Sequence, residues 1–328
     1  MRDRLGREID YLRISLTESC NLNCLYCNPL RGQGTGCNDQ EGERLELTEL
    51  FFLCTLFVRS GVRRFKITGG EPLLRPGCLS FAARLKSLEG VEEVTLTTNG
   101  VLLEEVWEEV KQSGLDGINI SLDSLDHGRF RRLTGKDALP KVLKGIDRCV
   151  NFGIRTKINC VPIRGVNDGE ICKIAALSRN QPIDVRFIEL MPIGFGKYYE
   201  GMSAAKVRSV LTTAYGVGEE ITGRRGNGPA VYCRFPGFRG CTGFIDAVHE
   251  KFCRSCNRIR LTSRGVLKTC LFYEEGLELG RMLRENRGER ELLQAVEKAI
   301  FEKKEEHHFC SREWEKEKET KGMVKIGG

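Results

Sequence analysis

The sequence predicts an α/β protein built on a parallel sheet. Three observations carry this. Short β-rich runs alternate with longer helical runs, glycines fall where the helical runs should stop, and polar residues gather just behind the β-rich runs. The β-rich runs are Tyr11–Leu16, Phe65–Thr68, Val94–Thr97, Gly117–Ser121, Thr156–Val161 and Val185–Glu189. Between them lie helical runs Leu47–Ser60, Leu79–Leu88, Leu103–Gln112, Leu139–Asn151 and Ile171–Ser178. Thr48-Glu49 and Asn167-Asp168 are helix-entry signals, and Gly61, Gly90, Gly114 and Gly153 are stops. This period implies parallel strands with right-handed crossovers. Six strands are too few for a closed eight-fold barrel, so the pattern alone leaves a partial barrel or an open doubly wound sheet. In either, chemistry collects at the carboxyl ends of strands. The polar signatures sit there: Thr17–Cys27, Gly69-Gly70-Glu71-Pro72, Thr97-Thr98-Asn99-Gly100, Ser121–Ser124, Asn159 and Glu189–Met191. After Met191 the alternation stops, which divides the chain into 1–192 and 193–328. Gly194–Gly243 is rich in turn residues, Glu275–Glu319 is charged and helical, and Phe301–Glu319 reads as a solvated helix or tail.

Composition narrows the class. The chain has 328 residues, 40% hydrophobic and 30% charged, enough for a large core and unlike a disordered or fibrous sequence. No apolar stretch is long enough to span a bilayer, and Met1–Asp10 is charged with no signal-peptide pattern, so a cytoplasmic protein without membrane attachment is expected. Fifteen cysteines in a reducing compartment argue against a disulfide framework. Cys54, Cys78, Cys149, Cys160 and Cys172 lie in apolar segments and read as small buried hydrophobes. The net charge of +7 suits an anionic ligand or nucleic acid without choosing between them.

Cys20, Cys24 and Cys27 read C-x3-C-x2-C in a polar loop. Three thiolates can hold three irons of a [4Fe–4S] cube and leave the fourth open. A zinc knuckle would need a fourth ligand, and no histidine is near. With Tyr26 before the third cysteine and Gly69-Gly70-Glu71-Pro72 behind the second strand, the chain resembles the radical S-adenosylmethionine (SAM) superfamily. That resemblance implies a partial (βα)6 TIM-like barrel and a cluster on Cys20, Cys24 and Cys27. The cluster's free iron would take the amino and carboxylate groups of SAM, with Tyr26, Gly70, Ser121 and Met191 at SAM-contacting positions. The two glycines let backbone approach a ligand closely, and Glu71 or backbone carbonyls can accept from an ammonium.

Cys253, Cys256 and Cys270 read C-x2-C-x13-C. Spacing alone leaves a zinc ribbon completed by Cys233 or Cys241, or a second three-cysteine [4Fe–4S] cluster. The run from Phe252 to Thr262, then Gly265 and Cys270-Leu271, resembles the C-terminal region of the molybdenum cofactor biosynthesis protein A family, the GTP 3′,8-cyclases. Tyr11–Ser15, Gly69–Arg75, Thr97–Gly100, Ile118–Leu125, Arg186–Met191 and Gly327-Gly328 extend the likeness along the chain.

The family implies that a 5′-deoxyadenosyl radical takes H3′ of GTP and the C3′ radical attacks C8 of guanine. The product is (8S)-3′,8-cyclo-7,8-dihydroguanosine 5′-triphosphate. A C-terminal [4Fe–4S] cluster would bind the guanine end. Arg13, Lys66, Thr97, Lys157, Arg258, Ile259 and Arg260 fall on GTP-contacting positions, and Gly327 and Gly328 match a tail that assists the radical step. Guanidinium forks suit phosphate oxygens, and alternation puts Arg258 and Arg260 on one face of an extended segment. The implied partners are an electron-donor protein and cyclic pyranopterin monophosphate synthase, with a homodimer possible in the family and no nucleic acid or membrane partner. Glu18 stands where the family often has Asp and is expected to bond locally. The competing readings are a radical SAM peptide- or protein-modifying enzyme and a zinc-containing nucleic-acid-binding module.

Overall fold

The computed structural model describes residues 1–29, 44–223, 225–314 and 316–327. All six expected strands form: β1 (Tyr11–Ser15), β2 (Arg64–Thr68), β3 (Glu93–Thr98), β4 (Gly117–Ser121), β5 (Thr156–Cys160) and β6 (Asp184–Ile188). They pair in parallel in chain order, with helices between them, as a partial (βα)6 barrel requires. The helix Leu139–Phe152 shows why these helices form. Leu139, Val142, Ile146 and Cys149 recur at helical spacing and are buried against the sheet, the three aliphatic side chains worth about 1.5–3 kcal/mol each when fully buried. Gly153 then ends the helix in the left-handed region, at φ 82°.

The C-terminal region is an extension that completes this sheet at both edges. Its strands are β7 (Glu219–Ile221), β8 (Val231–Arg234), β9 (Thr242–Ile245), β10 (Arg258–Leu261), β11 (Val266–Lys268) and β12 (Leu277–Glu278). The order β12-β11-β10-β1-β2-β3-β4-β5-β6-β9-β8-β7 places β10 parallel to β1 and β9 parallel to β6. Because β10 runs parallel to β1 with Arg258 beside Tyr11, the second cysteine group lies at the amino ends of these strands, opposite the first cysteine loop.

Three segments differ from the sequence reading. His127–Thr134 is a helix, capped by Asp126, which accepts from the Arg129 N–H at 2.7 Å, and stopped at Gly135. Ala204–Tyr215 is a helix within the supposed turn-rich stretch, started by the Ser203 cap and held by buried Val207 and Leu211. The tract 301–319 is not a solvated helix. The helix Glu289–Phe301 ends there, and the chain that follows buries Lys303, His307 and Glu319. Charge composition cannot distinguish a solvated Lys/Glu tract from one whose few inward side chains find partners.

Candidate active site

Cys20, Cys24 and Cys27 lie on the loop behind β1. The loop is folded by its own backbone, with the N–H groups of Cys27 and Asn28 donating to the Cys24 carbonyl at 3.0 and 2.9 Å. It is zipped to the end of the helix His127–Thr134 through Asn23 N–H to Thr134 O and Leu25 N–H to Leu133 O. Burial, the neighbouring thiols and the Asp123 carboxylate push the Cys24 thiol well up, and burial followed by Cys20 pushes Cys27 up to about 12. These thiols have reason to ionise only against a bound cation.

The Gly69-Gly70-Glu71 segment serves this loop first. A Cβ on Gly70 would lie 2.3 Å from the Ser19 carbonyl oxygen, and the N–H groups of Gly70 and Glu71 donate to Thr17 and Ser19 carbonyls at 2.7 Å. The close approach is thus to the cysteine loop's backbone. Glu71 is fully buried and accepts from Thr98 Oγ1, Asn99 N–H and Leu73 N–H, so its carboxylate is occupied and does not present itself to a ligand ammonium. Burial raises its pKa to about 7 against those three donors. Through Asn99, whose Nδ2 donates to Asn21 Oδ1 at 2.7 Å and lies 3.8 Å from Cys20 Sγ, Glu71 steadies the first cysteine. Tyr26 donates its hydroxyl to Asp123 Oδ2 at 2.6 Å, tying the same loop to the end of β4.

Cys253, Cys256 and Cys270 face the same cavity from the opposite end of the strands, and Gly70, Thr97, Ser121 and Met191 also line it. A short 3-10 turn, Cys253–Ser255, presents the first pair. Among the described residues, only Glu189, Asp246 and His249 bring three candidate ligand atoms within 4.8 Å of one another. Tetrahedral zinc with bonds of about 2.3 Å needs sulfurs about 3.8 Å apart. Both cysteine trios are wider than that, as a multi-iron cluster asks and a mononuclear zinc site does not. Cys233 and Cys241, the supposed completing ligands, are buried on and beside β8 and β9 and do not line this cavity.

A row of cations connects the two trios. Arg260, Arg13 and Lys66 stand at one level on β10, β1 and β2, on strands about 4.8 Å apart. Lys66 is pushed well down by burial and then by Arg186, Arg13 and Lys157. Arg13 is held down, to about 10, by burial above all, with Arg258 and Arg186 adding repulsion, and Arg260 is pushed down by burial, Arg13 and Arg258. Such mutual repulsion in a buried row favours a polyanion. Lys66, Lys157, Thr97 and Arg186 line a continuation of the cavity between the strands. Lys157 is already engaged, 3.4 Å from Asp184 and 3.0 Å from the Tyr232 hydroxyl. Ile259 is the exception among the expected contacts. Alternation turns its side chain into the hydrophobic core, fully buried and away from the cavity.

The C-terminal segment runs from the second trio to the first. Glu274 N–H donates to Glu317 O and Glu319 N–H to Phe272 O, an antiparallel contact just past Cys270. Lys268 and Glu319 form an ion pair, 3% and 0% exposed, that fixes this register. Further on, the Val324 N–H reaches the Cys27 thiol, Met323 and Val324 line the cavity, and Gly327 O accepts from Arg260 at 3.1 Å. Gly328 lies outside the described residues.

Four polar residues of the site escaped the sequence reading. Buried Arg7 donates to the Cys253, Glu305 and Lys304 carbonyls at 2.7–2.8 Å, holding the second trio against the chain past the helix Glu289–Phe301. Lys303 donates to the Arg258 and Thr269 carbonyls. Burial raises the Cys256 thiol, but Lys303 and Arg258 outweigh it and bring the pKa down to about 7. Arg186 adds a further cation, and His307 lines the cavity. Glu18 pairs with Arg264, at 2.9 Å, clamping the first cysteine loop to the strand pair β10–β11.

The Radical SAM superfamily model matches residues 14–177, and the Molybdenum Cofactor Synthesis C model matches residues 183–309. A GTP 3′,8-cyclase of Clostridium perfringens (strain SM101 / Type A) is 39% identical over 328 residues, covering 100% of both chains. One from Heliobacterium modesticaldum is 40% identical and covers 96% of each. Molybdenum cofactor biosynthesis protein 1 of Mus musculus is 38% identical over 94% of this chain, which spans 48% of that longer one. Among solved structures, Streptococcus suis SuiB bound to S-adenosylmethionine has a TM-score of 0.58 at 18% identity, covering 84% of this chain and 64% of that chain, a likeness of fold alone.

Proposed function

We propose GTP 3′,8-cyclisation as the activity of this chain, which belongs to the GTP 3′,8-cyclase family of radical SAM enzymes. One observation carries the reading: two open cysteine trios and a buried row of cations line a single cavity. A [4Fe–4S] cluster at each trio, with SAM at the first, would supply the electron and the radical that takes hydrogen from C3′ of GTP.

In this reading residues 1–192 hold SAM and residues 193–328 supply the second cluster and much of the GTP grip. Cys20, Cys24 and Cys27 hold the first cluster, and Cys253, Cys256 and Cys270 hold the second. Tyr26, Gly70, Ser121 and Met191 border SAM. Arg13, Lys66, Arg258 and Arg260 bind the triphosphate, while Thr97 and Lys157 fix the ribose end. Ile259 contributes through its backbone and the core only. The cavity walls hold both reactants still, which a primary radical requires for selective abstraction. Gly327 is held beside the cavity by Arg260, and in this reading Gly327 and Gly328 assist the radical step. The electron comes from a separate reductant protein, and the product passes to a cyclic pyranopterin monophosphate synthase in the cytoplasm. No helix among the described residues is long and apolar enough to cross a membrane.

Anaerobically reconstituted protein incubated with SAM, reductant and GTP tests this. GTP-dependent 5′-deoxyadenosine is expected, carrying deuterium when GTP is labelled at 3′. Formation of 5′-deoxyadenosine that ignores GTP, or carries no label, overturns the reading.

A further inference from the structure

Glu189 and Asp246 stand side by side behind the cavity wall. They follow Ile188 on β6 and Ile245 on β9, which are paired in register and both line the cavity. Alternation turns the next residue of each strand to the opposite face, and neither carboxylate lines the cavity. The Glu189 side chain is 3% exposed. Its Oε2 accepts from the Val248 and His249 N–H groups at 2.7 and 3.2 Å, and its Oε1 meets Nδ1 of the His249 ring. Asp246 accepts from the Ala204 N–H, at the start of the helix Ala204–Tyr215, yet its Oδ1 is shielded from solvent and has no hydrogen-bond partner. One ligand atom from each of Glu189, Asp246 and His249 lies within 4.8 Å of the other two.

Like charges on neighbouring strands repel. Among the described residues no lysine or arginine pairs with either carboxylate, and the His249 ring, 65% exposed, is the one ion-pair partner of Glu189. A cation held between the two carboxylates removes the repulsion and gives the orphaned Asp246 oxygen a partner. Two carboxylates and an imidazole, without sulfur, suit a divalent first-row metal ion such as Mn²⁺, Fe²⁺ or Zn²⁺.

We propose that Glu189, Asp246 and His249 form a divalent metal site, outside the reaction cavity and separate from both cysteine trios. The ion clamps the end of β6 to the end of β9 and to the helix Ala204–Tyr215, directly behind the wall formed by Ile188 and Ile245. The site does not depend on the cyclase reading.

The test uses full-length protein with both trios loaded with oxidised, EPR-silent clusters, 15N-labelled histidine rings, and Mn²⁺ alone as the probe. Mn²⁺ favours oxygen and nitrogen over thiolate, so the remaining cysteines do not compete. One bound Mn²⁺ per chain is expected, with a single histidine nitrogen coupling in pulsed EPR that vanishes in His249→Gln. Asp246→Asn should weaken binding by about tenfold or more. His127→Gln, which alters another exposed histidine beside a carboxylate, Asp137, should change neither reading. Mn²⁺ should raise the thermal unfolding midpoint of the native protein and leave that of Asp246→Asn where it was. Absence of bound Mn²⁺, binding without the histidine nitrogen, or affinity unchanged by Asp246→Asn overturns the site.

Discussion

Cys24 and Cys256 are each the middle cysteine of a trio facing one cavity, yet their surroundings differ in sign. Around Cys24 burial dominates, and the nearby groups are two more thiols and the Asp123 carboxylate, all of which oppose a thiolate. Around Cys256 burial is outweighed by Lys303 and Arg258. The same inorganic group would therefore meet an electron-repelling field at one end and an electron-accepting field at the other. A donor cluster should hold its electron loosely, and a cluster that docks an electron-rich purine should not. The chain builds this difference from side chains far apart in sequence, placing Lys303 beside β10 and Asp123 behind β4.

The largest test of the contrast removes one cysteine from each trio. Cys24→Ser should leave no measurable SAM cleavage with dithionite as reductant. Cys256→Ser should keep SAM cleavage, lose its dependence on GTP, and make no cyclised nucleotide. Equal silence from both variants in a 5′-deoxyadenosine assay would mean that the trios do not divide the work.

Thiol reactivity in metal-free protein reads the same contrast directly. At pH 7 about half of Cys256 is thiolate, whereas Cys27, at about 12, is almost wholly protonated. After discounting the lower nucleophilicity of the more acidic thiol, Cys256 should alkylate about 10²–10³-fold faster. Its rate should fall about tenfold per unit as pH drops below 7. Lys303→Met should slow Cys256 and leave Cys27 alone, measured by mass spectrometry after timed iodoacetamide treatment. A Cys256 rate unchanged by Lys303→Met would dissolve the electrostatic account.

A third test addresses what joins the two ends. The Lys268–Glu319 pair is buried on both sides and sets how far the C-terminal segment reaches toward Arg260. Glu319→Gln leaves a buried ammonium without its anion, a change that costs about 3–5 kcal/mol where the structure cannot relax. Here the segment can lift off instead, so turnover should fall by about tenfold or more while iron content stays native. Replacing both residues by Met should recover much of the loss, since an apolar pair restores packing without charge. Loss of iron in Glu319→Gln would make the pair a general prop.

The sequence was most legible where chemistry is local. Six strands, both trios and the Arg258/Arg260 alternation are spelled by contiguous residues, and the structure brings these elements to one cavity. It was least legible where a partner comes from afar. Nothing in the run of Lys and Glu from 301 to 319 marks Lys303, His307 and Glu319 as the three that turn inward. Arg7, near the N-terminus, holds carbonyls about 250–300 positions away. Strand β9 is four residues, too short to announce itself, though it extends the sheet beside β6. The Ser203 cap and the Val207–Leu211 spacing were a usable signal for the helix Ala204–Tyr215, hidden by the glycines around it.

The smallest effect sharpens the contrast from the first trio's side. Asp123 accepts from the Tyr26 hydroxyl and the Val161 N–H, and burial still raises its pKa to about 6. A carboxyl raised in the folded state binds a proton more readily than in the unfolded chain, near 3.9. Its contribution to stability therefore declines as pH rises from about 4 to about 6. Tyr26→Phe removes one of its two donors. At pH 5 most of Asp123 is protonated and the loss is that of a neutral hydrogen bond, about 1 kcal/mol. At pH 7 the carboxylate is ionised and the same deletion should cost about 2–3 kcal/mol. Urea unfolding of metal-free Tyr26→Phe and native protein at the two pH values measures the difference. Lys303→Met should show no such acid-side dependence, because the thiol it acts on titrates near 7. A Tyr26→Phe loss of the same size at pH 5 and pH 7 would mean that the hydroxyl does not serve the Asp123 charge. The first trio would then owe its field to burial and its own thiols.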